Sequence, residues 1–111
     1  MDITSINNIQ LIKIQSSIHS IEAEILEKKL NELYNRGEVD YIIDLSEVLH
    51  ICSSALGILV SFKREVSKHQ GDVKLIINND YIMQLFEITM LDKVFETHKD
   101  TQEALESFGQ R

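Results

Sequence analysis

The stretch Tyr41–Val66, YIIDLSEVLHICSSALGILVSFKREV, decides the fold, because it runs from a β-branched apolar segment through small residues into an apolar helical pattern. Tyr41-Ile42-Ile43-Asp44-Leu45 is short and bounded by polar residues, which predicts a buried strand. Val48-Leu49-His50-Ile51 predicts a second short extended piece. From Ser54 onward the period changes. At about 100° per residue, Ala55, Leu59, Phe62 and Val66 form one stripe, with Ile58 on one margin and Leu56 and Val60 on the other. Ser53 or Ser54 is expected to cap that helix. The first N–H groups of a helix lack intrahelical partners and carry the positive end of its dipole. A cap hydroxyl satisfies one or two of them, and a phosphate on that hydroxyl would bring about −1.5 to −2 charges to a place suited to receive them. The adjacent serines therefore read both as a cap, the commoner use, and as a candidate phosphoacceptor.

Upstream, Ile9–Ile14 predicts a strand, with Ile3–Ile6 as a short strand before it. Ser16–Ser20 turns into a helix whose apolar positions are Ile21, Ile25, Leu26, Leu30, Leu33 and Tyr34, and Gly37 ends it. Downstream, Gly71 punctuates and Val73–Ile77 predicts a buried strand. Asn78-Asn79-Asp80 supplies turn and cap chemistry before a short helix from Tyr81 to about Thr89. Leu91–Phe95 is expected as a last short strand, and Thr101–Phe108 as a final helix capped by Thr101, with Ala104, Leu105 and Phe108 on its apolar side. Strands alternating with helices predict an α/β fold, a mixed and largely parallel sheet with helices packed on it.

The run Asp44-Leu45-Ser46-x-Val48-x-x-Ile51-Cys52-Ser53-Ser54-Ala55-Leu56-Gly57 resembles the D-L-S-x-V-x-x-I-D-S-S-G-L-G signature of the STAS family, named for sulfate transporters and anti-sigma-factor antagonists. Gly71–Ile77, Leu85–Phe95 and Glu103-Ala104-Leu105 are similar to the rest of that domain in the same order, so the likeness spans nearly the whole chain. The resemblance implies one STAS-like domain over residues 1–111, with four to five strands and about four helices. In stand-alone STAS antagonists the first serine after the signature acid is phosphorylated, a position held here by Ser53, with Ser54 as the lesser candidate. The implied partners are an anti-sigma factor with serine kinase activity and a serine phosphatase that removes the phosphate. The expected contact residues are Cys52, Ser53, Ser54, Leu56, Ile58 and Val60, and the chain is expected as a monomer or weak homodimer. Three positions depart from the family pattern: Cys52 replaces the acid, Ala55 a glycine, and Met90 a glycine that often precedes the leucine. The first two motivate an alternative, a STAS scaffold or transporter-complex subunit that is not phosphorylated.

Composition bounds the remaining classes. The chain has 111 residues, 43% hydrophobic, a net charge of −7, one cysteine and no proline, and a mean hydropathy of −0.10. That is enough for one domain with a real core and no disulfide. The acidic balance argues against nucleic acid or anionic lipid as partners, which need clustered Lys and Arg. Lys63, Arg64 and Lys68 fall on one helix and read as a solvated face. No apolar run is long enough to span a bilayer, and Met1–Ser5 lacks signal-peptide character, so a cytoplasmic protein is expected.

Enzyme constellations are missing, and no cofactor is expected. His50-x-Cys52 looks like the entrance of a cysteine phosphatase loop, but position 58, where that chemistry needs Arg, is Ile. A phosphocysteine carrier using Cys52 is a remote alternative, because strand, helix and strand precede the cysteine rather than a single strand. Cys52 reads as a small buried hydrophobe or, at a helix N-terminus, as a thiol of lowered pKa. His19, His50, His69 and His98 have no metal-ligand spacing. Asp44 is expected to accept backbone N–H bonds and fix the loop.

Overall fold

Asn7 and Asn8, with φ of 52° and 65°, close a two-residue turn that folds β1 (Asp2–Ile6) back on β2 (Ile9–Lys13) as an antiparallel hairpin. Asparagine tolerates these left-handed angles, and such turns match the natural twist of paired strands. The computed structural model describes residues 1–109; Gln110 and Arg111, included in the expected domain, lie outside the described residues. After the hairpin come α1 (Ser20–Asn35), β3 (Asp40–Asp44), α2 (Ser53–Ser67), β4 (Asp72–Ile76) and α3 (Asp80–Ile88). A 3₁₀ turn (Leu91–Lys93), β5 (Thr97–His98) and α4 (Thr101–Phe108) complete the order. The five strands lie in the order β1-β2-β3-β4-β5, parallel from β2 onward.

The α/β expectation holds, and β3 explains why its sequence lacks alternation. Tyr41, Ile43 and Leu45 enter the main core with Leu26, Leu30, Leu59, Phe62 and Phe86, while Ile42 enters a smaller core with Ile9, Ile76, Ala104 and Phe108. A parallel strand covered on both faces reads as a continuous apolar run. The Tyr41 hydroxyl donates to the Glu38 carbonyl at 2.6 Å, and burial raises its pKa.

Several local expectations are corrected. The extended piece expected at Val48–Ile51 is limited to one isolated bridge, Ile51 to Ile18, and Val48 N–H turns back to the Leu45 carbonyl. Leu91–Phe95 is not a strand. Met90 takes left-handed angles (φ 62°), the chain coils into the 3₁₀ turn, and Phe95 is buried edge-on against Phe86. Apolar spacing alone does not separate a coiled turn from a short strand. The cap of α4 is Asp100, whose carboxylate accepts the Glu103 N–H at 2.8 Å, not Thr101. The buried face of α1 is Ala23, Leu26, Leu30 and Leu33, whereas Ile21 and Ile25 are exposed. Gly37 follows the C-cap of α1 with φ of 91°, and its N–H bonds the Tyr34 carbonyl.

Beneath α4 lies a polar network that joins three elements. Lys74 of β4, nearly buried, reaches Glu96 at 3.0 Å and Ser107 at 2.7 Å and lies over the Phe108 ring. His98 of β5 bridges Glu96 at 2.5 Å and Glu103 at 2.9 Å. The His98 imidazole, aided by Lys74 and Ser107 and opposed by burial, holds the Glu96 carboxyl down at about 2. A depressed carboxyl stabilises the fold above its unfolded pKa, and that contribution is lost as pH falls toward the folded value. The melting-temperature gap between the native chain and Glu96→Gln should therefore be open at pH 6 and close between about pH 4 and pH 2. A gap independent of pH would remove the Glu96 charge from the account.

Candidate functional site

The junction between β3 and α2 is fixed from both sides. Asp44, buried at the end of β3, accepts the Ser46 N–H at 2.9 Å, as expected for a loop-fixing carboxylate. Leu45 N–H reaches across to the Ile76 carbonyl at 2.9 Å, and Leu45, Val48 and Ile51 are buried. The segment after β2 holds the other side: Ile18 N–H donates to the His50 carbonyl at 2.8 Å, and Cys52 N–H donates to the Ile18 carbonyl at 2.9 Å. Leu45, Val48 and Ile51 thus anchor a turn whose Ser53 and Ser54 hydroxyl groups stay outside.

The helix starts one residue earlier than expected. Cys52, extended at φ −75° and ψ 160°, is the N-cap of α2, and its carbonyl accepts the Leu56 N–H at 3.2 Å. Ser53 is therefore the first helical residue and not the cap, and no side chain caps the helix. Ser53 and Ser54 are both exposed. Cys52, half-buried, lies 3.2 Å from the Ser54 hydroxyl. That contact first, and the Ala55 N–H second, lower the thiol pKa.

The predicted contact residues divide between two grooves. Leu56 and Val60, both half-buried, line one with Gly57, Arg64, Thr89 and Leu91, on the same side of α2 as Ser53. Ile58, also half-buried, faces a different groove, between α1 and α2, beside Leu30, Tyr34 and Glu65. Ala55 is fully buried in the first turn of α2 and needs no positive φ, so it replaces glycine without strain. Met90 does occupy a left-handed position, where glycine is the residue of lowest cost.

Sequence spacing missed the histidine pairing. His19 and His50, 31 positions apart, stack with ring centroids 4.8 Å apart next to the Cys52 turn. Each sits just before or within a strand-to-helix connection, and the backbone bonds of Ile18 to His50 and Cys52 bring them together. Leu49 beside them is 65% exposed. No group of three or more metal-ligating side chains occurs among the described residues, and among them no base hydrogen-bonds the Ser53 hydroxyl. Lys63 pairs with Asp72 and Lys68 with Glu65. No helix of the described residues is long and apolar enough to cross a membrane.

The STAS domain family profile matches residues 1–104. The chain belongs to the STAS domain family. A Thermotoga neapolitana relative, provisionally named an anti-sigma factor antagonist, is 33% identical over 89 residues, 78% of this STAS chain and 79% of the relative. The anti-sigma-B factor antagonist of Bacillus subtilis is 32% identical over 90 residues, 81% of each chain. Among solved structures, a provisionally named Thermotoga maritima anti-sigma factor antagonist superposes with a TM-score of 0.89, at 21% identity and over 96% of this chain and 92% of its own. The phosphorylated form of the Bacillus cell fate determinant SpoIIAA gives a TM-score of 0.76, at 15% identity and over 96% and 97% of the two chains. These structural likenesses place the fold, with the β3–α2 junction at the end of a central parallel strand as in the STAS signature.

Proposed function

We propose that this STAS domain antagonises an anti-sigma factor that is also a serine kinase, and that phosphorylation of Ser53 ends their complex. The observation that carries the reading is Ser53 itself. It is exposed at the first position of a fifteen-residue helix, and among the described residues no base bonds its hydroxyl, so it suits a hydroxyl acted on by another enzyme better than a nucleophile. Relatives named as anti-sigma factor antagonists support the partner class. The N–H groups at the start of α2 would receive the phosphate, whose bulk and charge then have to be desolvated for the partner to bind. No large conformational change is needed. Leu56 and Val60, on the Ser53 side of α2, form the apolar part of the contact, with Cys52 and Ser54 at its edge and Ile58 in the neighbouring groove. A serine phosphatase restores the binding form.

Intact-mass analysis after incubation with ATP and the serine-kinase-type anti-sigma factors of the source organism tests the proposal. The expected result is one added phosphate, mapped by fragmentation to Ser53. Stable binding to one of these kinases with no phosphate added would favour the second reading, a constitutive scaffold, which Cys52 in place of the signature acid supports.

A further inference from the structure

The open edge of the sheet at β1 carries no lysine, proline or bulge to block strand pairing. Natural edge strands carry lysine, proline or a bulge, or are covered by another element. Strand β1 reads Asp-Ile-Thr-Ser-Ile, pairs without a bulge from Asp2↔Lys13 to Ile6↔Ile9, and has no second neighbour among the described residues. The two-residue turn at Asn7-Asn8 makes Ile6 and Ile9 a hydrogen-bonded pair. Alternation then directs the backbone groups of Asp2, Thr4 and Ile6 to β2, and those of Ile3 and Ser5 to the open edge.

Helix α1 extends the same side of the molecule. Its Glu27, Asn31 and Tyr34 face α2, whereas Glu22, Ile25 and Leu26 on its other flank line a groove with Met1, Ile14 and Ser16. Met1 is 41% exposed, Ile25 50% and Ile21 69%. Ile21 and Ile25 lie far around α1 from its buried stripe of Ala23, Leu26, Leu30 and Leu33. Exposed Ile25, sharing a groove with Met1 at the start of the open strand edge, marks a covered surface better than a solvated one.

We propose that the occupant is a second copy of this chain, joined β1 to β1 in antiparallel fashion about a two-fold axis at Thr4. The strand is self-complementary in that register. Ile3 of each copy faces Ser5 of the other, Thr4 faces Thr4, and Asp2 faces Ile6, so no like charges are opposed across the strands. The pairing makes about four hydrogen bonds between copies. A five-residue edge with this flank covers well under the roughly 800 Å² per partner of a stable complex, so the dimer is weak and concentration-dependent. Each copy carries a charge of −7, so added salt should tighten it. Ser53 follows β3, two strands in from this edge, and stays open in the dimer.

Sedimentation velocity of the full chain over about 10 to 1000 μM, the range expected for so small an interface, tests the proposal. A reversible dimer is expected, strengthened by salt and unchanged by Ser53→Asp. Thr4→Lys places two ammonium groups opposite each other at the axis on an exposed position, and should weaken association at least tenfold with an unchanged circular dichroism spectrum. A Thr4→Cys variant in a Cys52→Ser background fixes the register. Residues facing each other at such a position have Cα atoms about 4.5 Å apart, within disulfide range, so mild oxidation should yield a covalent dimer, whereas Gln102→Cys on exposed α4 should not. A native chain that stays monomeric throughout, or a dimer indifferent to Thr4→Lys, overturns the proposal.

Discussion

Gly71→Ala should lower the melting temperature by roughly 12 °C, the consequence of a destabilisation of about 3 kcal/mol. A Cβ at this position would stand 2.2 Å from the Val39 carbonyl oxygen and 2.7 Å from the Val39 Cβ. The first obstacle is backbone, so no side-chain rotation relieves it. The neighbourhood is also under hydrogen-bond constraint: Gly71 N–H closes the end of α2 on the Val66 carbonyl, and Asp72 N–H reaches the same Val39 carbonyl that the methyl would strike. Displacing Val39 disturbs the start of the β3–β4 register at Asp40↔Asp72. Gly57→Ala makes the control, because it lies inside α2 with nothing within 4 Å of its Cβ position. Alanine there should raise stability by about 0.5–1 kcal/mol through helix propensity. Thermal melting of the two variants should therefore move in opposite directions; a Gly71→Ala chain as stable as the native would mean that the segments leading into β3 and β4 do not meet as described.

Substitutions at Ser53 should separate folding from binding by their signs. In Ser53→Ala, partner affinity should stay within about threefold of the native value while phosphorylation is abolished. In Ser53→Asp, affinity should fall tenfold or more, because a carboxylate at the contact must be desolvated and meets no guaranteed cation. The free protein should respond in the other direction. A negative charge in the first turn of α2 interacts favourably with the helix dipole, worth about 0.3–1 kcal/mol at an exposed position. Weaker binding by a protein that melts slightly higher cannot be attributed to unfolding. Calorimetric titration of the anti-sigma factor against both variants, with melting curves beside it, supplies the two readouts. Equal affinity of Ser53→Ala and Ser53→Asp would exclude charge at this residue as the switch.

The parts of the fold legible from sequence are those where one physical pattern dominates. Ala55, Leu59, Phe62 and Val66 are all buried as their spacing predicts, because α2 packs along one face only. Asn79 caps α3 by accepting from Tyr81 and Ile82, as the Asn-Asn-Asp turn suggested. Legibility fails where distant backbone decides the outcome. The start of α2 at Ser53 follows from the bond between Cys52 and Ile18, which joins segments far apart in sequence. Similarly, the coil at Leu91–Lys93 depends on Met90 accepting a left-handed conformation that its residue type disfavours. At the site itself, the exposed serines and the half-buried Leu56 and Val60 could be read from position on the helix. The division of Ile58 into another groove, and the stacking of His19 on His50, required the packing of α1 and of the loop after β2.

The unequal covering of the two sheet faces sets an order of opening. Helix α4 rests on a small apolar patch of Ile9, Ile42 and Ile76 and on the Lys74–Glu96–His98 cluster, whereas α1, α2 and α3 share the larger core. Lifting α4 exposes little apolar area compared with global unfolding, so its amides exchange with solvent through a local, low-energy excursion. During that excursion Ile42 and Ile76 meet water on one side of strands that remain paired, and the β3–α2 junction keeps its hydrogen bonds. Helix α4 should thereby behave as a separate unit of cooperativity, able to fray while the Ser53 surface stays formed.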